Sequence, residues 1–551
     1  MALTTANKEI VDKAVKAIHE RIFYAQYPEH PKAYGEDAPG KGQSAYNSQL
    51  GKPFNGLLQQ NPVAWEGEEV SPYTMKSLGV TYPVFEVDTL IVRAGRAFDA
   101  WRHVSVEDRA EILVDALEKI KYRFFEIAYA TQHTTGQSFV MSFQASGPHA
   151  SDRALEAMAM GYEELQRFPG NVTWEKPMGK VSVKLQKEFK PVPKGISLAI
   201  GCSTFPTWNS VPGIFASLIT GNSVIVKPHP KSVYPIAIVV AEIQNALKAK
   251  GIDTNVCQLA VDSSKNLIAK TLAKHPLVKL IDYTGGSEFG DYIESIPGKT
   301  TFTEKAGVNS VILDSVADLK TVAQNLGFAV SLYSGQMCTA PQNIFIPAGG
   351  IKQGDKTISY EEVKSALTEA ISGLSSHPQM GPGTLGAIQS EITLKRVNSA
   401  KDLDAKVLLA PAKVANAEFP EARTSSPIVL EVDAKDKGIY ENELFGPIVL
   451  IIKTKDTAQS VELAKDMVAK HGAITCSAYS TDEATAKMIT DEMESVFAPV
   501  SLNLTGVIWV NQHAGFSDFH VTGGNPAGNA SFTNPEYVNK RFVWVGHRRG
   551  V

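Results

Sequence analysis

Three short apolar runs, ISLAIG at 196–201, SVIVKP at 223–228 and LIDYTG at 280–285, are each followed by a helix-patterned segment. This alternation limits the fold more than any other feature of the chain. Parallel strands cannot be joined by a tight turn; each needs a crossover, and a helix is the usual one. The 196–330 region therefore predicts a doubly wound sheet of nucleotide-binding type. A second α/β series follows from about 330 to 505. RFVWV, at 541–545, is a short β-prone run that needs a partner edge in its own chain or in another subunit. VSVKL, at 181–185, alternates as a half-exposed strand would.

Helices are legible upstream. Ser105 with Asp108 three residues on is a capping pair, and Ile112, Leu113, Ala116, Leu117 and Ile120 follow at helical spacing. A further helical stretch covers 150–166. Residues 28–75 are rich in Pro, Gly and polar side chains and predict an irregular arm wrapping the surface.

Composition excludes several classes. Hydrophobic residues make up 43% and charged residues 20% of 551, ample for large cores. The formal net charge is −4 and Lys and Arg do not cluster, so a nucleic-acid partner is not expected. No run approaches the ~18 apolar residues of a membrane span. The N-terminus has no apolar signal core. The four cysteines, Cys202, Cys257, Cys338 and Cys476, form no CxxC pair and no spacing with histidine that suggests a metal. A cytoplasmic location is expected.

Five features carry candidate chemistry. Cys338 sits among small polar residues in SLYSGQMCT, which favours access, although a lone cysteine is more often inert core. Glu304, in TFTEKAGVN, ends a strand before a glycine turn, where a carboxylate can serve a thiol or a water; alone it also suits an ion pair with Lys305. Lys227 closes SVIVKP at the carboxyl end of a strand, where open α/β sheets bind ligands. YTGGSEFG, at 283–290, lets a loop approach a ligand and opens a helix whose N-terminus favours anions. NELFGPI, at 442–448, presents Glu443 and Phe445 beside a Gly-Pro turn.

In order and spacing, these pieces resemble the aldehyde dehydrogenase superfamily over roughly residues 85–551. GNSVIVKP matches its strand and Lys-Pro loop, and Gly285–Gly290 its Gly-x-x-Glu-x-Gly helix start. Glu304–Gly307 matches its glutamate and glycine turn, Gly335-Gln336-Met337-Cys338 its nucleophile motif, and Glu443–Pro447 its Glu-x-Phe-Gly-Pro loop. GVIWVN (506–511) looks like a late strand of the family. Within the superfamily the chain looks most like the phenylacetic acid degradation branch. YPEHPKAYGE, HTTGQSF, TFPTWNS, TEKAGVN, SLYSGQMCT and FSDFH carry that closer match.

The resemblance implies a Rossmann-type cofactor domain, an α/β catalytic domain and a small β oligomerisation flap. The implied division is an N-terminal arm (1–84), a dinucleotide-binding domain (85–329, with part of the flap near 171–190), a catalytic domain (330–505), and a return to the cofactor domain ending in an oligomerisation strand (506–551). It implies a homodimer or homotetramer, with the tail strand added to a neighbour's sheet. Cys338 would attack the aldehyde, hydride would pass to the nicotinamide, and Glu304 would activate the water that hydrolyses the thioester. Lys227 and Glu443 would hold the riboses, Phe445 would lie against the nicotinamide, and Gly285 and Gly290 would let the backbone approach the pyrophosphate.

Three departures from the family pattern matter. Thr204 stands where the family has an oxyanion-hole asparagine; losing one such donor costs ~10²–10³ in rate in a well-studied protease. Pro230 stands three positions after Lys227, where NAD-preferring relatives often have an acid. His229 or Lys231 could attract a 2′-phosphate, so NADP is expected in preference to NAD, with use of both as the alternative. Lys305 and Ala306 alter the wall beside Glu304. Phe205, Trp208, Tyr333, Phe516 and Phe519 suit an apolar pocket, and equally a core. The branch implies a semialdehyde from aromatic catabolism, free or carried as a coenzyme A thioester. A coenzyme-A-acylating dehydrogenase and a non-catalytic dinucleotide-binding scaffold are the competing readings.

Overall fold

The computed structural model describes residues 3–506, 515–516, 524–527 and 534–551. Most of GVIWVN and of FSDFH, including Phe519, lies outside the described residues. In chain order the strands that organise the molecule are β1 (Asn171–Met178), β2 (Val181–Pro193), β3 (Ile196–Ile200), β4 (Ser223–Lys227), β5 (Cys257–Leu259), β6 (Val278–Thr284) and β7 (Thr300–Glu304). They continue with β8 (Ser310–Leu313), β9 (Asn343–Pro347), β10 (Lys406–Leu409), β11 (Ile428–Asp433), β12 (Ile448–Thr454), β13 (Cys476–Tyr479), β14 (Val500–Leu502) and β15 (Phe542–Gly550).

Among the described residues, three sheets carry the fold. The first has the order β5-β4-β3-β6-β7, all parallel. Every residue of β3, β4 and β5 is buried, because helices cover both faces. Helix Val211–Ile219 follows β3, and helix Tyr234–Ala249 follows β4. The second sheet has the order β10-β11-β12-β9-β8-β13-β14, parallel except for the edge pair β10–β11. This is an aldehyde-dehydrogenase-like α/β architecture: a Rossmann-type domain, a second α/β domain and a small β flap.

The passage between the two sheets falls at 305–309, earlier than the 329/330 boundary read from the sequence. Gly307 marks the crossing. A Cβ there would lie 3.0 Å from the Ala473 Cα and 3.0 Å from the Ala527 Cβ, so a side chain would force its neighbours to give way. Strand β8 and helix Leu319–Ser331 therefore belong with the second sheet.

The upstream helices form where their caps predict. The Ser105 hydroxyl accepts from the Asp108 N–H at 3.1 Å, and the helix Val106–Lys121 buries Ile112, Leu113, Ala116, Leu117 and Ile120. The helical stretch after 150 is the helix Ala150–Gln166. The arm departs from its irregular reading. Residues Ala38–Gln49 form a helix, and Gly42 lets it press on its neighbour: a Cβ there would sit 2.3 Å from the Phe125 Cβ. Tyr46 on the same helix stacks on His133 at 5.2 Å. Local composition missed this helix because its support is tertiary.

The C-terminal strand finds a partner edge within its own chain, one of the two that the sequence allowed. β15 pairs antiparallel with β2 from Phe542↔Pro193 to Gly550↔Leu185, and β2 pairs with β1. Arg541 fixes the entry: its guanidinium grips Asp282 on β6 through two bonds of 2.8 and 2.6 Å and lies over Phe302 at 4.0 Å. β2 is also exposed along much of its length and not buried on one face as its alternation predicted. Among the described residues, no helix is long and apolar enough to cross a membrane.

Candidate active site

Cys338 stands in a turn that the chain holds under strain. Helix Leu319–Ser331 ends, and Tyr333, Ser334 and Gly335 follow with φ of 49°, 51° and 60°. Left-handed backbone is costly for Tyr and Ser, so the surroundings must hold it. The Tyr333 hydroxyl donates to the Thr135 carbonyl at 2.6 Å, and the Ser334 hydroxyl to the Leu385 carbonyl at 2.9 Å. The Gln336 amide donates to the Ala387 carbonyl at 3.0 Å and accepts from the Gln389 N–H at 2.9 Å. Gly335 packs where a Cβ would fall 2.5 Å from the Gly446 carbonyl oxygen. Asn309 completes the clamp. Its amide donates to the carbonyls of Cys338 (2.8 Å) and Ala340 (3.0 Å) while its oxygen accepts from the N–H groups of Ile474 and Thr475.

Glu304 ends β7 and is buried, with 2% exposure. The Asn209 amide donates to its two oxygens at 3.2 and 3.3 Å. The Cys338 thiol, half-buried, lines the same cleft as that carboxylate. Burial first, then the Glu304 charge, pushes the thiol well above its ordinary range, which favours the thiol over the thiolate at rest. The Lys305 ammonium turns away to Asp291 and Glu294, at 2.9 Å each, so it does not displace Glu304.

Cys338 and Glu304 share one cleft of about 1030 Å³, counted out to solvent, with Thr204, Phe205, Gly285, Glu443 and Phe445. Cys202, Asn209, Gln389 and Arg396 also line it and were not singled out in the sequence. Asn209 lies in the phrase TFPTWNS, five residues after Thr204, so that phrase was its signal. Arg396 and Gln389 had none. The Cys202 thiol donates weakly to the Asn209 amide oxygen at 3.7 Å. Burial pushes Cys202 up to about 11, although hydrogen bonds from the Phe205 backbone and from Thr204 pull the other way. The Thr204 carbonyl accepts from the Gln137 amide at 2.8 Å.

The aromatic set divides. Phe205 faces the cleft. Trp208 and Tyr333 pack edge-on to Phe205 at 6.0 and 5.6 Å and are buried, so they support the wall and are not part of it. Trp208 also carries the Arg153 guanidinium over its ring at 3.4 Å. Phe516 is buried edge-on against Tyr24 at 4.9 Å.

On the dinucleotide side, the missing side chains of the two glycines leave room for neighbouring groups of this chain. A Cβ at Gly285 would meet the Tyr283 hydroxyl at 2.4 Å, and one at Gly290 would meet the Lys305 side chain at 2.5 Å. The chain's own side chains fill these spaces. Gly286, between them, has nothing within 4 Å of its missing Cβ and opens onto the cleft. Across the cleft, burial raises Glu443 to about 7, and Arg396 opposes that rise. The Arg396 guanidinium also donates to the Phe445 carbonyl at 2.7 Å, which fixes this loop.

Around Lys227 the structure adds carboxylates that the sequence window lacks. Its ammonium is buried and bound to Asp262 at 2.6 Å and to the Pro228 carbonyl at 2.9 Å. Burial, with Lys227 and Lys231 nearby, lowers His229 to about 4, so it is neutral near pH 7. Lys231 is exposed. Carboxylates absent from the Lys227–Lys231 window arrive in space: Asp262 from the segment after β5, and Glu68 from the arm. The sheet order puts β5 beside β4, which linear spacing could not show.

Comparison with known proteins agrees with this architecture. The model described as the aldehyde dehydrogenase family matches residues 67–540. The crystal structure of an NAD-dependent aldehyde dehydrogenase from Burkholderia multivorans is 41% identical. The likeness spans 99% of this chain and 98% of that one, with a TM-score of 0.96. A succinate-semialdehyde dehydrogenase [NADP(+)] from Deinococcus radiodurans is 26% identical over 80% of this chain and 86% of its own length. An alpha-ketoglutaric semialdehyde dehydrogenase from Bacillus subtilis is 23% identical over 77% and 83%.

Proposed function

The chain belongs to the aldehyde dehydrogenase family, an oxidoreductase acting on aldehyde groups with NAD(P), and on that premise we propose that it oxidises a semialdehyde to the free carboxylic acid. The observation that carries the reading is the Cys338 thiol sharing one cleft with a buried Glu304 that Asn209 holds, the cleft onto which Gly286 also opens.

Glu304 takes the thiol proton as the Cys338 sulfur attacks the aldehyde carbon, giving a thiohemiacetal. The Cys338 backbone N–H and the Thr204 hydroxyl are the donors proposed for its oxyanion. Conversion of that adduct to a thioester is the redox chemistry that a bound nicotinamide supplies. Once Glu304 has passed the thiol proton on to solvent, it takes a proton from water, whose oxygen attacks the thioester carbon; the C–S bond breaks, the acid leaves and the Cys338 sulfur regains a proton. A carboxylate placed at the sulfur favours this ending over transfer to coenzyme A. Lys227 and Glu443 are the proposed ribose contacts, Phe445 the contact to the nicotinamide side, and the Gly285–Gly290 turn the pyrophosphate contact.

Two relatives named as semialdehyde dehydrogenases support the substrate class. The phrases shared with the phenylacetic acid degradation branch, together with Phe205 on the wall, support an aldehyde from aromatic-ring catabolism. None of the four cysteines is paired, which fits a reducing cytoplasm. The exposed apolar side chains Val183, Phe189, Val543 and Val545 on the β15-β2-β1 sheet support a homodimer or homotetramer.

The test is a steady-state assay of NAD and NADP reduction against medium-chain, aromatic and coenzyme-A-linked semialdehydes. The expected product is the free acid, formed without added coenzyme A. Turnover that requires added coenzyme A would overturn the hydrolytic ending. A second expectation concerns pH. Glu443 is neutral below about 7 and charged above it, so dinucleotide affinity rises as pH passes upward through that value. Glu443→Gln should bind weakly with no such rise, and titration calorimetry between pH 5.5 and 8.5 reads both. A wild-type affinity that is flat over this range removes Glu443 from the ribose site.

A further inference from the structure

We infer that Glu68, on the N-terminal arm, selects NAD over its 2′-phosphorylated form. The inference rests on the dinucleotide-dependent reading above and reverses the NADP preference that the Lys227–Lys231 window suggests. Lys227 ends β4, at the carboxyl edge where an open parallel sheet receives its ligand. Pro230 supplies no carboxylate there. The arm does.

Glu68 and Glu69 are stitched across the two segments that leave this edge. Glu69 accepts from the N–H groups of Val233 and Tyr234, at 2.6 and 2.9 Å, where the helix after β4 begins. One oxygen of Glu68 accepts from the Ser264 N–H at 3.1 Å and the Ser264 hydroxyl at 2.8 Å, in the segment after β5. The other oxygen, Oε1, is shielded from solvent and has no hydrogen-bond partner. A carboxylate oxygen without a donor has capacity for one, and a ligand hydroxyl that displaces the groups now covering it would satisfy it.

The charges beside it point the same way. Glu68 acts electrostatically on Lys227, His229 and Asp262. The Lys227 ammonium is already matched by Asp262 at 2.6 Å, leaving Glu68 unmatched by it; the other lysine of the Lys227–Lys231 window, Lys231, is exposed. A ribose 2′-hydroxyl donates to Glu68. A 2′-phosphate brings only acceptors and close to two negative charges, so it is repelled.

Calorimetric titration of the full-length protein with NAD, NADP, ADP-ribose and 2′-phospho-ADP-ribose tests this without catalysis. The wild-type protein should bind NAD and ADP-ribose at least ~10-fold more tightly than their 2′-phosphates. Glu68→Gln should close that gap by about tenfold, mainly by tightening the phosphorylated ligands. Ser264→Ala loses one hydrogen bond to Glu68 but no charge, and should keep the ratio within about twofold. Equal wild-type affinity for both forms overturns the inference whatever the variants do. So does a ratio that Glu68→Gln leaves unmoved, or that Ser264→Ala moves equally. Wild-type protein that binds none of the four ligands would instead remove the dinucleotide reading itself.

Discussion

Cys338→Ala lowers aldehyde oxidation by on the order of 10⁴-fold or more, as removal of a covalent nucleophile does in a well-studied protease. Dinucleotide affinity stays within about twofold, because the Cys338 side chain is not among the proposed cofactor contacts. The fold should tolerate the change. What holds this turn is backbone: the Asn309 amide on the Cys338 carbonyl and the bonds of Tyr333, Ser334 and Gln336 to their neighbours. The experiment also separates two thiols in one cleft. Cys202 lies nearby, but its hydrogen-bond acceptor is the neutral Asn209 amide and not a carboxylate. A variant that kept a tenth of its activity would move the chemistry to Cys202 or abolish the covalent reading.

Glu304→Gln slows release of product by ~10²–10⁴-fold, the usual contribution of a positioned base. The acid half of the reaction then outlives the redox half, so an acyl-enzyme on Cys338 should appear in the intact mass after mixing with aldehyde and dinucleotide. A second readout has a fixed sign. In the wild type burial, and after it the Glu304 charge, raises the Cys338 thiol, so alkylation by iodoacetamide climbs only at high pH. The neutral amide removes that charge, and the alkylation midpoint moves down in pH while turnover falls. Normal turnover without an acyl-enzyme would end the base assignment; an unmoved alkylation midpoint would separate Glu304 from the thiol.

Much of the fold was legible because parallel strands announce themselves locally. Strands buried on both faces read as apolar runs, and the crossover helices between them read as such, so ISLAIG, SVIVKP and LIDYTG landed on β3, β4 and β6. Glu304 and Cys338 were legible for a different reason. Each sits in a distinctive phrase, and the order of those phrases was specific enough to identify a resemblance. The arm was harder. Helix Ala38–Gln49 contains two glycines and a proline and buries only Gly42 and Tyr46, so its own periodicity says little. The aromatic residues were hard as well, since Phe205, Trp208 and Tyr333 are equally good cleft walls and cores until their neighbours are known.

By itself, then, the sequence determined the sheet class, the family resemblance and the pair Cys338 and Glu304, because these depend on patterns that repeat or cluster within a few residues. Tertiary structure alone decided what surrounds them. Asn209 reaches Glu304 across 95 positions, Asn309 reaches Cys338 across 29, and Glu68 reaches Ser264 across 196. Charge and hydrogen bonding act through space over a few ångströms, and linear spacing carries no record of which distant side chain will be there.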